Sequence, residues 1–259
     1  MIFESHAHYD DEAFSEDRDE LLGGFPEKGI EYVINIGASL SSTESSIALA
    51  EKYPYVYAAA GVHPSDTAEL NEENFDRIRK ACLHEKTLAV GEIGLDYYWD
   101  TPEREIQKKW FVRQLHLANE VNLPVVIHSR DAAKDTIDIM KTEPAIKKGG
   151  VIHCFSYTKE TAREFLNMGY HFGIGGVITF ANGKKLREVV EYLPMDAILL
   201  ETDSPYLAPV PYRGKRNNSH YLSYVAEEIA RIKNLTTEEV IQITRNNAIE
   251  LFLKNKKYQ

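Results

Sequence analysis

Short apolar runs alternate along this chain with longer stretches in which apolar and polar residues mix. The runs at 2–4, 32–36, 56–60, 88–92, 124–128, 150–153, 171–174 and 197–201 carry β-branched and other apolar residues, which predicts eight strands. Between them, 42–52 contains Ile47, Leu49 and Ala50, and 103–121 sets Trp110, Phe111, Leu115 and Leu117 on related turns, as helices do. Further helices are expected at 158–168, at 185–192 and as a pair after Ser219. Eight strand–helix repeats in 259 residues argue for an α/β fold with a parallel sheet closed into a (β/α)8 TIM barrel, ahead of an open doubly wound sheet. No Gly- or Ser-rich linker and no shift of composition divides the chain, so residues 1–259 are expected to form a single domain. The Pro-rich segment 205–211, continuing to Asn217 after the last strand, has the character of an active-site loop.

The residues that follow the apolar runs turn the picture from fold to chemistry. His6 and His8 follow Ile2-Phe3, Glu92 follows Leu88-Ala89-Val90, His128 follows Val125-Val126-Ile127, His153 follows Val151-Ile152, and Asp203 follows Ile198-Leu199-Leu200. Each is a good ligand for a divalent ion, and each falls where strand 1, 4, 5, 6 or 8 is expected to end. Working residues of such barrels come from the C-terminal ends of several strands, so these six are expected on one rim. His6 and His8, two apart on extended chain, share a face and can hold one ion. Glu92 offers two oxygens and could bridge two ions; Asp203 could be a charged ligand or a base for water. His63, Tyr97 and Arg130 are expected on the same rim, where a histidine, a phenol and a guanidinium suit a phosphate oxyanion beside two cations. Cys154 is expected to turn away from His153 by alternation and to lie in the core, while His84, His116, His171 and His220 lack the company of other ligands.

Composition then narrows the class of protein. With 43% apolar and 27% charged residues, the chain reads as a soluble globular protein with a large core. Cys82 and Cys154 alone give no disulfide framework, so a reducing cytoplasm is expected. The first residues run into Glu4, His6, His8, Asp10 and Asp11, unlike a signal peptide, and no run approaches the roughly 18 apolar residues of a membrane span. The net charge of −10 excludes a global basic face for long nucleic acid. A polyanionic substrate would have to be gripped locally, by bound metal and a few cations such as Lys184, Lys185, Arg213, Lys215 and Arg216, which favours a strand end or short single strand.

Six motifs carry a resemblance that runs nearly end to end: Ser5-His6-Ala7-His8, Gly61-Val62-His63-Pro64, Gly91-Glu92-Ile93-Gly94-Leu95-Asp96, Val126-Ile127-His128-Ser129-Arg130, His153-Cys154-Phe155-Ser156 and Glu201-Thr202-Asp203-Ser204-Pro205-Tyr206-Leu207. In order and spacing the chain resembles the TatD-type metal-dependent deoxyribonucleases of the amidohydrolase-like barrel superfamily. The resemblance implies a TIM barrel with two divalent ions, one held by His6, His8, Glu92 and Asp203 and the other by Glu92, His128 and His153. It also implies phosphodiester hydrolysis, with Asp203, Glu92 and Arg130 catalytic and His63, Tyr97 and Arg130 near the scissile phosphate. The expected substrate is a single-stranded DNA end cut as by a 3′–5′ exonuclease, with RNA a further candidate. Two departures stand out: the family pattern opens Asp-Ser/Thr-His-x-His where this chain has Glu4, and it reads Gly-Lys-Arg-Asn-Glu-Pro where this chain has Asn217-Asn218-Ser219.

Other readings stay open at the level of sequence. A lactonase, amidohydrolase or phosphotriesterase on the same barrel commonly bridges its metals with a modified lysine, whereas strand 4 here offers Glu92 and 125–130 contains no lysine. An aminoacyl-tRNA deacylase and a non-catalytic metal-binding interaction protein are the remaining alternatives. The ligand set suits Mg²⁺, Mn²⁺, Zn²⁺, Ni²⁺ or Fe²⁺ equally, and nothing in the pattern speaks to oligomeric state.

Overall fold

Parallel strands hold apolar residues on both faces only when helices cover one face and a core fills the other. The computed structural model describes residues 1–254; residues 255–259 of the expected domain lie outside the described residues. Eight strands, β1 (Ile2–Ala7), β2 (Ile30–Ile36), β3 (Val56–Ala60), β4 (Thr87–Asp96), β5 (Val125–Arg130), β6 (Gly150–Ile152), β7 (His171–Ile174) and β8 (Ile198–Leu200), pair in parallel and in sequence order. The ring closes between β8 and β1 through a bridge from Ala7 to Ser204. There the Asp203 N–H donates to the His6 carbonyl at 2.9 Å and the His8 N–H to the Ser204 carbonyl at 2.8 Å. The fold is the (β/α)8 barrel that the alternation predicts.

The helices are α1 (Arg18–Gly23), α2 (Leu40–Lys52), α3 (Glu72–Cys82), α4 (Arg104–Val121), α5 (Ala133–Thr142), α6 (Lys159–Asn167), α7 (Lys184–Tyr192), α8 (Leu222–Lys233) and α9 (Thr237–Ala248). One core lies between helices and strands, where Phe75, Phe111, Leu115 and Phe165 meet residues such as Val33, Val90 and Ile152. A second fills the barrel: Phe3, Ile34, Val126, Val151 and Leu199 cluster with Leu251 and Phe252 from the wide turn Ile249–Leu253 that follows α9. Phe252 stacks on Phe3 at 6.2 Å, plugging the end opposite the candidate ligands. Each large side chain so buried contributes roughly 1.5–3 kcal/mol.

Three strands run further than their apolar pattern. His6 lies inside β1, Glu92 inside β4 and His128 inside β5, so these ligands do not mark the ends of sheet as expected, whereas His153 and Asp203 do follow β6 and β8. The reason is that all ten residues of β4 are buried, Glu92 and Asp96 included, with polar side chains meeting one another instead of water. At this level β4 and β5 approach closely. Gly94 sits at φ 145°, and a Cβ there would lie 1.9 Å from the His128 carbonyl oxygen, so only glycine fits. No helix among the described residues is long and apolar enough to cross a membrane.

Candidate metal centre

Alternation along β1 turns Glu4, His6 and His8 to one side. Glu4 is buried beneath the histidines: its Oε1 accepts the N–H groups of His6 at 3.1 Å and Thr202 at 2.9 Å, and its Oε2 accepts the Ser219 hydroxyl at 2.9 Å. Burial nonetheless pushes the Glu4 carboxyl up to about 8. The two departures from the family pattern therefore meet in one hydrogen bond. Ser219 stands where that pattern has Pro, which brings no side-chain donor, and it supplies the hydroxyl that the longer Glu4 carboxylate reaches.

Above Glu4, four donors converge. The Nε2 atoms of His6 and His8 lie 3.2 Å apart; His6 Nε2 is 3.4 Å from Glu92 Oε2 and 3.6 Å from Asp203 Oδ1, and His8 Nε2 is 3.8 and 3.5 Å from the same two oxygens. A tetrahedral ion with bonds of roughly 2.0–2.1 Å has donor–donor edges of about 3.3–3.4 Å, and His6, His8 and Asp203, whose donor atoms all lie within 4.8 Å of one another, could hold a divalent cation with Glu92 alongside. His8 Nδ1 lies 3.1 Å from the Ile36 carbonyl, which only accepts, so Nδ1 carries the proton and Nε2 faces the cluster. Asp203 reaches in from the residues after β8 with φ 58°, a left-handed conformation that aspartate tolerates.

The other oxygen of Glu92 faces a second group. Oε1 lies 2.8 Å from His128 Nδ1, 3.1 Å from His153 Nε2 and 3.9 Å from His63 Nε2. The His6 and His153 rings stack at 3.8 Å, which brings the two groups edge to edge. Two carboxylates missed by the strand-end pattern stand behind these histidines. Asp96 Oδ2 lies 3.0 Å from His128 Nε2, and Glu201 Oε1 lies 3.4 Å from His153 Nδ1 while accepting the Cys154 N–H at 2.6 Å. Asp96 was legible in principle, since it follows Glu92 by four residues on the same face of β4.

The electrostatics are those of a cluster built around positive charge. Burial opposes ionisation of Glu92, but His153 and the hydrogen bonds of His128, His153 and His6 hold it well below the carboxylate range. Burial likewise opposes a charge on His8, yet the hydrogen bond and charge of Asp203, with Glu92 and Asp10, lift it to about 9. His153 is raised against its burial by Glu92 and Glu201. His63 differs: burial and the charge of His128 lower it to about 3, and its Nδ1 accepts the Ser65 N–H at 3.2 Å. A neutral His63 thus carries its proton on Nε2, where it is a donor facing the site, although with Glu92 and His128 it also forms a group that could hold a cation.

These groups floor a cleft of about 450 Å³. Among the described residues lining it, Arg130 is the one Lys or Arg, against carboxylates that include Asp10, Asp11 and Asp66. Tyr97 does not reach the cleft. It follows Asp96 by one residue and so turns outward, donating its hydroxyl to Asp135 at 2.7 Å beneath the Arg104 guanidinium, which corrects its expected place beside a phosphate. Arg216 is likewise committed elsewhere, paired with Asp17 and lying over Phe14. Cys154 is half-buried on the wall of a small cavity beside Glu201, not in the core, because its φ of 45° breaks the alternation; burial pushes its thiol up to about 12.

Comparison with known proteins agrees with this geometry. A family model described as TatD related DNase matches residues 3–253. The chain belongs to the TatD family. It is 43% identical to YabD of Bacillus subtilis, named an uncharacterised metal-dependent hydrolase, over 98% of this chain and all of that protein. It is 35% identical, over 93% of this chain and 94% of the relative, to a TatD of Cronobacter sakazakii named a 3′-5′ ssDNA/RNA exonuclease. The crystal structure of YjjV, a TatD homologue from Escherichia coli, superposes with a TM-score of 0.91 at 31% identity, covering 97% of each chain. This TatD-family chain is a metal-dependent hydrolase.

Proposed function

We propose that this TatD-family hydrolase cuts phosphodiester bonds at the 3′ end of single-stranded DNA, and of RNA, with two divalent ions. The observation that carries the reading is the division of Glu92, whose two oxygens face two separate histidine groups. His6, His8, Glu92 and Asp203 would hold one ion, and Glu92, His128 and His153 the other. When bound, such ions supply Lewis-acid polarisation of the scissile phosphate and neutralise its charge.

The chain's own residues do the rest. Asp203, held below the ordinary carboxylate range by its hydrogen bond to His8 and the charges of His153 and His6 against its burial, stays ionised and accepts the proton of the attacking water. Arg130 and the Nε2–H of His63 donate to the phosphate oxygens as negative charge builds in the transition state. Glu4, Asp96 and Glu201 orient the histidines. The acidic cleft and a net charge of −10 disfavour a long duplex held by charge, which supports a strand end as substrate. The name of the Cronobacter relative supports the same direction of cutting.

The test is digestion of 5′-labelled single-stranded DNA and RNA, with a generic phosphodiester alongside, under Mg²⁺, Mn²⁺ or Zn²⁺ and with chelator. Stepwise shortening of the labelled strand, abolished by chelator, is expected. Internal fragments without a ladder, or hydrolysis of the generic ester alone, would overturn the exonuclease reading.

A further inference from the structure

Large apolar side chains are exposed at eight described positions, and five of them, Tyr98, Trp99, Tyr206, Leu207 and Val210, fall in just two segments, after β4 and after β8. In a closed ring of eight strands these are diametrically opposed, so the two segments face each other across the mouth of the barrel. Trp99, 64% exposed, and Tyr206, 54% exposed, both line the cleft whose floor is the metal centre. A scatter of surface aromatics would not divide this way.

The platform after β4 is rigid. Asp96 Oδ1 accepts the N–H groups of both Tyr98 and Trp99 at 2.9 Å, while Oδ2 of the same carboxylate meets His128 Nε2. One side chain thus fixes the aromatic pair relative to a candidate ligand. Trp99 stands edge-on to Tyr98 at 5.2 Å, and the Arg130 guanidinium lies over the Tyr98 ring at 3.8 Å, leaving the indole face without a stacking partner among the described residues.

We infer that Trp99, backed by Tyr98, is a stacking platform for an unpaired nucleobase of the substrate strand, with Tyr206 as the facing wall. The inference rests on the phosphodiester reading above and deepens it. A cleft this acidic cannot hold a strand by charge alone, and a base has a neutral face that stacks without regard to sequence. A duplex keeps its bases stacked on one another, so the platform selects single strands. Arg130, stacked beside the platform and open to the cleft, takes the backbone phosphate of that nucleotide.

The chain has two tryptophans, and Trp110 is buried, so quenching of indole fluorescence reports on Trp99. The Mn²⁺-supplied protein is titrated with a phosphorothioate single-stranded oligodeoxyadenylate and with the same strand carrying abasic sugars at its last three positions. Quenching by the first and not the second is expected. In hydrolysis of the corresponding phosphodiester strands, Trp99→Ala is expected to cut the preference in kcat/KM for the base-bearing strand over the abasic one by about 5- to 100-fold, mainly through KM, with Trp99→Phe restoring most of it. Tyr192→Ala, an exposed aromatic on α7, leaves that preference intact. Equal quenching by both strands, or an undiminished preference in Trp99→Ala, overturns the inference while strand hydrolysis by the parent protein stands. A parent protein that hydrolyses neither strand overturns both readings.

Discussion

Gly173→Ala adds one methyl group and is expected to disable the metal centre from behind. Gly173 lies within β7, and a Cβ there would fall 1.9 Å from Glu201 Oε2, 2.4 Å from its Cδ and 2.7 Å from its Oε1. The carboxylate must leave its place, and with it go the hydrogen bond from Cys154 N–H and the contact to His153 Nδ1. Overpacking of this kind costs roughly 1–3 kcal/mol and a stranded buried N–H about as much again. A loss of about 2–6 kcal/mol lowers the midpoint of melting by some 4–12 °C in a domain of this size, and the variant is expected to stay folded at 25 °C. Partners behind a ligating histidine are worth about 10- to 100-fold in metal affinity, so Mn²⁺ or Zn²⁺ titration calorimetry is expected to show a Kd weakened to that extent. The assay that isolates the cause is the double variant Gly173→Ala/Glu201→Ala. With the carboxylate gone the clash is gone, so urea melts of the double and of Glu201→Ala alone are expected to agree to within about 0.5 kcal/mol. A Gly173→Ala protein with parental stability and metal affinity, or a double variant that sums the two losses, would refute the reasoning.

Three further outcomes are expected. His128→Ala and Asp203→Asn each lower turnover at least about 100-fold with the far-ultraviolet circular dichroism of the parent, and near-normal rates in either variant remove that residue from the mechanism. In the ion-free protein His8 is raised to about 9, so the stability it contributes is complete below pH 6.5 and lost as pH rises toward 9; Glu4, raised to about 8, acts in the same sense from pH 4.5 upward because it must ionise in a buried place. Urea melts in chelator should therefore weaken from pH 6.5 to 9, while metal affinity climbs over the same interval as protons stop competing, and a flat profile in either contradicts the assignment. Finally, chelator is expected to abolish binding of single-stranded DNA measured by anisotropy, even at low salt, because the empty cleft offers many carboxylates to one Arg130.

How much of this was legible in the sequence depended on whether a side chain answers to local pattern or to a distant neighbour. The strands were readable because Val, Ile and Leu recur in short runs, and His6, His8, Glu92, His128, His153 and Asp203 because each stands against such a run. Tyr97 was misplaced because it was judged by its motif and not by its parity with Glu92. Counting in twos along β4 sends it outward and brings Asp96 inward. The lengths of β1, β4 and β5 were hidden because polar residues there are paired across the barrel, which no local window reveals. The bond between Glu4 and Ser219 joins positions 215 residues apart, so only the closed ring brings it into view.

The seam between β8 and β1 carries a consequence for the making of the protein. Its hydrogen bonds run through His6, His8, Asp203 and Ser204, the same short segments that bring residues far apart in the chain to the proposed ion site. A ribosome delivers the His6 side of that seam before the Asp203 side, with β2 to β8 made in between. Until Asp203 emerges, the nascent chain lacks both the clasp that shuts the ring and an acidic group at its centre. A polypeptide cut short before Asp203 is thereby denied the seam, and an ion held by His6, His8 and Asp203 as proposed would lock the ring once it has closed.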